Sequence, residues 1–330
     1  MNNIDYAQSV VLSKVYEKRM LGKAKIDRMI DAKDEKEAFK ILMDSEYSKS
    51  ANNVYDVYGY VTLLNQETAR VRTIAEELLQ DERILEIMTL KYDYHNIKII
   101  VKSLFSNKDL TDKFIQSKNA NPQTMLAQVK AEKYINLKDE FAIAIKEAIA
   151  DYEKNNDPQM IDIILDKHYF QHMLKLSSEL EIEYFTKYIK AKIDFYNVET
   201  LLRIKRMNKN TIFAEKVIFD GGNIERNKLI GLLQADLDKI TMSLKAETTG
   251  KYIVKGLDEY RKTGSLFKLE KQNKAYFNEL NKDARFITFG PEPIISYILS
   301  KEDEIDKVRF ILVGKLNNIS SDIIRERLGE

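Results

Sequence analysis

The chain has 330 residues, 44% of them hydrophobic, with 53 Lys plus Arg against 52 Asp plus Glu and a formal net charge of +1. That near balance excludes nucleic acid as a partner: neutralising a run of phosphates needs a basic surplus on one face, and basic runs such as Arg203–Lys209 are short and isolated. Cysteine is absent, which removes disulfides, thiolate metal sites and thiol nucleophiles from consideration.

The first twenty residues lack a basic start followed by an apolar run, so no secretory signal is expected there. Apolar runs such as Phe310–Val313 fall far short of the roughly 20 residues that a membrane span needs. The expectation is a cytoplasmic protein with no direct membrane span, able to touch a membrane complex from the side. Only 11 Gly and 4 Pro punctuate the chain, and no glycine occurs between Tyr60 and Asp220. Strands joined by tight turns would require Gly, Asn-Gly or Asp-Gly about every ten residues. The residues present instead are good helix formers.

Apolar periodicity agrees. Val71, Ile74, Leu78, Leu85, Met88 and Tyr92 read as one stripe along a long helix. "NANP" (Asn119–Pro122) predicts a turn, an N-cap and a proline in the first helical turn, and "NNDP" (Asn155–Pro158) predicts the same. Leu126, Val129, Lys133, Leu137, Phe141 and Ile145 form a second stripe, broken only by Lys133. "FDGGN" (Phe219–Asn223) and "KTGS" (Lys262–Ser265) read as interhelical loops. "RFITF" (Arg285–Phe289) is the one plausible extended piece. After it Gly290, Pro291 and Pro293 set a helix start, with Glu292 at its positive end. Ile294, Ile298, Ile305, Val308, Leu312, Leu316 and Ile319 make a third stripe, with Asp303 and Lys307 as an i,i+4 pair and Arg309 and Lys315 projecting away from it. The reading is all-α: a many-helix single domain over residues 1–330.

A repeat organises it. "KYDYHNIKIIVK" (Lys91–Lys102) matches "KIDFYNVETLLR" (Lys192–Arg203), pairing Asp93 with Asp194, Asn96 with Asn197 and Ile97 with Val198. "EIDKVRFILVG" (Glu304–Gly314) is a looser third copy, with Glu304 at the carboxylate position. "MIDAKDEKEAFKIL" (Met29–Leu42) also resembles "LLQADLDKITMSL" (Leu232–Leu244). Three similar segments, approximately 1–110, 111–209 and 210–330, would close into a ring-like body with pseudo-threefold symmetry.

Catalytic signatures are scarce. His168 and His172 stand at i and i+4, good spacing for two metal ligands, with Asp162, Asp166 or Glu179 as a possible third. A zinc protease needs Glu directly after the first His, and Tyr169 stands there. "VGKL" (Val313–Leu316) departs from a phosphate loop, since Arg309 and Leu316 occupy the places of the required Gly and Ser/Thr. Gly314 there reads instead as a point of close helix approach. No cofactor is expected.

The segment Gly290–Leu328 resembles the C-terminal signature of the C subunit of the archaeal and bacterial V/A-type rotary ATPases, a family related to the d subunit of eukaryotic vacuolar ATPases. The resemblance is carried by Glu292-Pro293-Ile294, Tyr297, Leu299, Lys301-Glu302, Glu304-Ile305, Arg309, Ile311-Leu312, Gly314-Lys315-Leu316, Ile324 and Arg327-Leu328. Asn318 stands where many relatives carry Gly, a replacement that left-handed geometry tolerates. The resemblance implies a funnel-shaped all-α body of three similar helical segments. It implies a non-catalytic rotor part, a socket that receives the central-stalk subunits and rests on the membrane rotor ring of proteolipid subunits. ATP hydrolysis or synthesis is thereby coupled to H+ or Na+ transport. The isolated protein is expected to be monomeric. Asp93, Asn96, Asp194, Asn197, Glu292, Glu304, Arg309 and Lys315 are the candidate interface or motif residues. The competing readings are a helical scaffold or adaptor unrelated to rotary ATPases and a metal-dependent hydrolase using His168 and His172. The bland reading of the repeated motif is that its polar groups cap or pair within the bundle.

Overall fold

The computed structural model describes residues 3–329 apart from 107, 116, 118 and 136, and its regular elements are all helical, with no strand among the described residues. In chain order the helices are α1 (Ala7–Glu17), α2 (Lys23–Asp31), α3 (Glu35–Met43), α4 (Tyr60–Leu78), α5 (Glu82–Ser106), α6 (Pro122–Lys130), α7 (Asp139–Asn155) and α8 (Pro158–Leu180). There follow α9 (Glu183–Arg206), α10 (Thr211–Val217), α11 (Arg226–Gly231), α12 (Leu237–Leu244), α13 (Gly250–Thr263), α14 (Phe267–Arg285), α15 (Glu292–Leu316) and α16 (Ser321–Leu328). The all-α expectation holds.

Helix ends fall where short polar residues can satisfy orphan backbone groups. The side chains of Asn121 and Asp157 accept from the backbone N–H groups of Thr124 and Gln159, and Pro122 and Pro158 follow in the first turn. Asn156 and Asn318 adopt positive φ just past α7 and α15, so the asparagine at 318 does take the left-handed geometry.

Four expectations differ. The stripe Val71–Tyr92 is shared by α4 and α5, because Leu79 is extended (φ −96°, ψ 118°) and breaks the helix. The stripe through Lys133 is likewise two helices: α6 ends at Lys130, Glu132 has φ 53°, and α7 starts at Asp139. "RFITF" is not extended; Arg285 closes α14, and bends follow until α15. Ile319 lies beyond α15, past the reversal at Asn318.

The chain forms two compact units, one from Met1–Glu82 with Asn278–Glu330 and the other from Arg83–Phe277. The first is built around α15, which packs on α4, α1 and α3 and buries Ile294, Ile298, Ile305, Val308, Ile311 and Leu312. Each such side chain contributes about 1.5–3 kcal/mol of burial. Ile294, Ile298, Ile305, Val308 and Leu312 of the expected stripe face inward, Ile311 joins them, and Leu316 and Ile319 are only half-buried. Gly314 sits where an added Cβ would lie 2.8 Å from Ile324 Cδ1, so its lack of a side chain does let α16 approach α15. The second unit is layered from α7, α8 and α9, with Phe141, Ile145, Leu165, Ile189, Phe195 and Val198 in its core.

Candidate functional site

The repeated motif lies in the second unit on α5 and α9, and its polar residues face inward: Asp93 and Asp194 are fully buried, as is Asn197, and Asn96 nearly so. A spacing of three residues puts each Asp and its Asn on one helix face. There they grip the loop that follows the helix. Asn96 donates through Nδ2 to the carbonyl of Ile115 at 2.7 Å and accepts through Oδ1 from the N–H of Ile115 at 2.9 Å. Asn197 does the same to Phe219, at 2.8 Å in both directions. One amide thus satisfies both backbone groups of a single residue, twice in the chain.

The carboxylates hold the next few residues. Asp93 Oδ2 accepts from Asn119 Nδ2 at 2.7 Å. Asp194 Oδ2 accepts from Asn223 Nδ2 at 2.8 Å and from the Thr249 hydroxyl at 3.2 Å, while its Oδ1 accepts from the Ile224 N–H at 2.9 Å. The close approach depends on the double glycine, because a Cβ at Gly222 would sit 2.4 Å from Asp194 Oδ1. Burial raises both carboxyls above the ordinary range, Asp93 to about 6; hydrogen bonds from Asn223, Ile224 and Thr249 offset part of the rise at Asp194.

The third copy, in the first unit, keeps the carboxylate and loses the amide. Glu304 is buried and accepts from the N–H of Leu21 at 2.5 Å, ahead of α2. The residue three positions on is Lys307, which pairs with Asp303 at 3.4 Å, as the sequence suggested. Glu304 belongs to a buried ionic cluster. Lys301 Nζ lies 2.5 Å from Glu304 Oε1, 3.0 Å from Glu67 Oε1 and 4.1 Å from the centre of the Tyr47 ring. Glu67 also takes Arg70 at 2.8 Å and the Ser50 hydroxyl at 2.5 Å. Burial alone would raise Glu67, yet Arg70, Lys301 and Ser50 hold it down at about 2. Sequence reasoning missed Glu67, Arg70 and Lys301 as a set; only the i,i+3 spacing of Glu67 and Arg70 hinted at it.

The second recurring element is also matched locally. Asp34 caps α3 by accepting from Glu37 N–H at 2.8 Å, and Asp236 caps α12 by accepting from Lys239 N–H at 2.8 Å. The remaining candidates scatter. Glu292 opens α15 half-buried, with its carboxyl raised by that burial, and Arg309 is half-buried further along the same helix. Lys315 does not project away: it is buried, and its ammonium donates to the carbonyl of Ala32 at 2.7 Å and to Ser321 Oγ at 3.1 Å. It fastens α15 to the end of α2, because three donors on a buried ammonium demand acceptors.

The two histidines engage different carboxylates. His168 Nε2 lies 2.7 Å from Glu147, whereas His172 is buried edge-on to Phe141 and Tyr94, 3.7 Å from Glu86. Among the described residues no group of three or more His, Asp or Glu is placed to hold a metal ion. A groove of about 610 Å³ between α7, α8 and the loop at Phe219 has an apolar floor of Ile163, Phe170 and Leu174 and a rim of mixed charge. No helix of the described residues is long and apolar enough to cross a membrane.

The family described as ATP synthase (C/AC39) subunit matches residues 10–327. The chain is 22% identical over 325 residues to the C subunit of the V-type sodium ATPase of Enterococcus hirae, covering 98% of each chain. It is 24% identical over 344 aligned residues to the C subunit of the A-type ATP synthase of Methanocaldococcus jannaschii, covering 98% of this chain and 85% of that one. With nearly its whole length matched, the chain belongs to the ATP synthase (C/AC39) subunit family.

Proposed function

We propose that this protein is a non-catalytic rotor subunit of a V/A-type ATPase, a socket that receives the central stalk of the soluble head and rests on the membrane rotor ring. ATP hydrolysis or synthesis would be coupled through it to H+ or Na+ transport. The observation that carries the reading is the family match over residues 10–327, together with near full-length similarity to C subunits of V-type and A-type enzymes. The residues support it physically. A torque-bearing joint needs stiff loops, and the motif loops here are tied to their helices through both backbone groups of one residue and a buried carboxylate. On this reading the protein is monomeric in isolation and peripheral to the membrane on its cytoplasmic side. The three segments, near 1–110, 111–209 and 210–330, are arranged about the stalk axis, with Asp93, Asp194 and Glu304 as equivalent positions.

The test is deletion of the chain with plasmid add-back. The expected result is that the ATPase head leaves the membrane and ATP-driven ion transport stops, while soluble ATPase activity survives and add-back restores both. Head attachment and transport that persist without the chain would overturn the reading.

A further inference from the structure

Asp220-Gly221 is the one Asp-Gly step in the chain, and Asn-Gly does not occur. The step lies in the loop that the second copy of the motif holds, between two anchors. On one side both backbone groups of Phe219 are bonded to Asn197. On the other, Asn223 and Ile224 are bonded to Asp194. Asp220 and Gly221, in between, take no part in that grip. The turn nevertheless requires the glycine: its φ is 99°, which L side chains rarely adopt, and a Cβ there would collide with Leu174 Cδ1 of α8.

Without a side chain at 221, nothing shields that amide nitrogen from the carboxyl group of the residue before it. Both groups are also free of other engagements. The Asp220 side chain is 85% exposed, and its ion-pair partner Arg226 Nε stands 3.9 Å away, beyond hydrogen-bond reach. Arg226 donates instead to the carbonyls of Ile218 and Glu215. The Gly221 N–H makes no hydrogen bond among the described residues. The one Asp-Ser step, Asp44-Ser45, differs on this point, because the Ser45 N–H donates to the carbonyl of Leu42 at 3.1 Å.

We propose that Asp220 is a site of spontaneous isomerisation to isoaspartate, and that the motif's grip on Phe219 and Ile224 sets the rate. The Gly221 nitrogen attacks Cγ of the protonated Asp220 carboxyl, and the carboxyl hydroxyl leaves with the amide proton as water. Water then opens the cyclic imide. Attack at the main-chain carbonyl of Asp220 breaks its bond to the Gly221 nitrogen, which stays on Cγ and leaves the α-carboxylate free. Nothing is oxidised or reduced, and the product keeps the mass of the starting chain. Ring closure needs rotation about the Asp220 backbone, which the two anchors resist until the loop opens locally. The product carries one extra methylene in its main chain between those anchors. Gly222 already lies against Asp194 Oδ1, so the added length displaces Asn223 and Ile224 from that carboxylate. The modification therefore loosens the loop that the motif holds.

The test ages the purified full chain at physiological temperature. Isoaspartate is counted by methyl transfer from S-adenosylmethionine with an isoaspartyl carboxyl methyltransferase, and it is located by peptide mapping. We expect methyl incorporation to rise with time and to map to Asp220, with Asp44 unmodified. Asp220→Glu, whose side chain would have to close a larger ring, should stay at background. Asn197→Ala should accumulate isoaspartate at least about tenfold faster than the wild type, because the loop opens more readily. Asp194→Asn, the milder change, should fall between the two, and it decides the comparison should Asn197→Ala fail to fold. Wild type unfolded in urea sets the upper limit. No isoaspartate at 220 in the folded chain, when the unfolded chain forms it, overturns the site, as does its first appearance at another residue. Equal rates in the wild type and the folded variants overturn control by the grip.

Discussion

Replacing Asn197 with Ala should cost far more than the same change at Asn96, although the two amides make the same pair of bonds. Asn197→Ala leaves both the N–H and the C=O of Phe219 without a partner in a buried site. Each orphaned buried group costs about 1–3 kcal/mol, so a loss of ~2–6 kcal/mol is expected, at the upper end where the deleted amide also leaves a void. The bonds of Asn96 to Ile115 are only partly buried, and water can replace them. A loss of ~1–2 kcal/mol is expected there. Urea denaturation followed by circular dichroism measures both, and hydrogen exchange at the Phe219 amide reports the local effect. Equal losses for the two variants, or a loss below ~1 kcal/mol for Asn197→Ala, would refute the claim that these amides hold their loops by satisfying buried backbone.

Other perturbations test the neighbouring features. Asp93 is raised by burial to about 6, so its folded form binds a proton that the unfolded chain has released; its contribution to stability falls as pH rises through the window from about 4 to 6. The loss is about 3 kcal/mol across that window, read as the difference between wild type and Asp93→Asn in urea melts at several pH values. Glu67 works in the opposite sense: held at about 2, it contributes stability above its ordinary value that is lost as pH falls from about 4.5 to 2, and Glu67→Gln should flatten that acid limb. Lys301→Met takes the buried counter-charge from Glu304 and leaves Glu67 with Arg70 and Ser50 alone, and should cost ~3–5 kcal/mol in thermal or urea unfolding. Gly222→Ala drives a Cβ toward Asp194 Oδ1 and should lower stability by ~1–3 kcal/mol, whereas Gly231→Ala, which meets nothing within 4 Å, should be neutral or mildly stabilising.

The legible parts of the fold were those written in short-range physics. Scarce glycine and a 3.6-residue stripe identified the helices, and Asn-Pro and Asp-Pro steps marked where α6 and α8 begin. The two merged stripes went wrong for one reason: an apolar stripe can continue in phase across a break, as at Leu79, because the phase of burial is set by the core and not by backbone continuity. Lys315 was misread because side-chain burial depends on what lies opposite, and the acceptor at Ala32 is 283 residues away in sequence. The ionic cluster at Lys301 was hidden for the same reason, since Glu67 is one of 52 acidic residues and nothing local distinguishes it.

The repeated motif shows what its residue types are for. In the two close copies an Asp and an Asn three residues apart hold a loop by its backbone, and the loop's own sequence is free to differ: Ile115 and Phe219 receive identical bonds. An amide can both donate to a carbonyl and accept from the adjacent N–H, which explains why Asn recurs where a lysine or an ionised carboxylate would leave one group unpaired. Where the third copy has Lys307 instead, that pair of hydrogen bonds is lost. The carboxylate is retained and reinforced by Lys301, whose charge together with that of Arg70 balances Glu304 and Glu67 in a buried site. Ordering a backbone with bonds on both of its polar groups leaves it little freedom to yield. On the rotor reading that stiffness is the property on which the protein depends, since compliance at the joint would dissipate the torque it passes on.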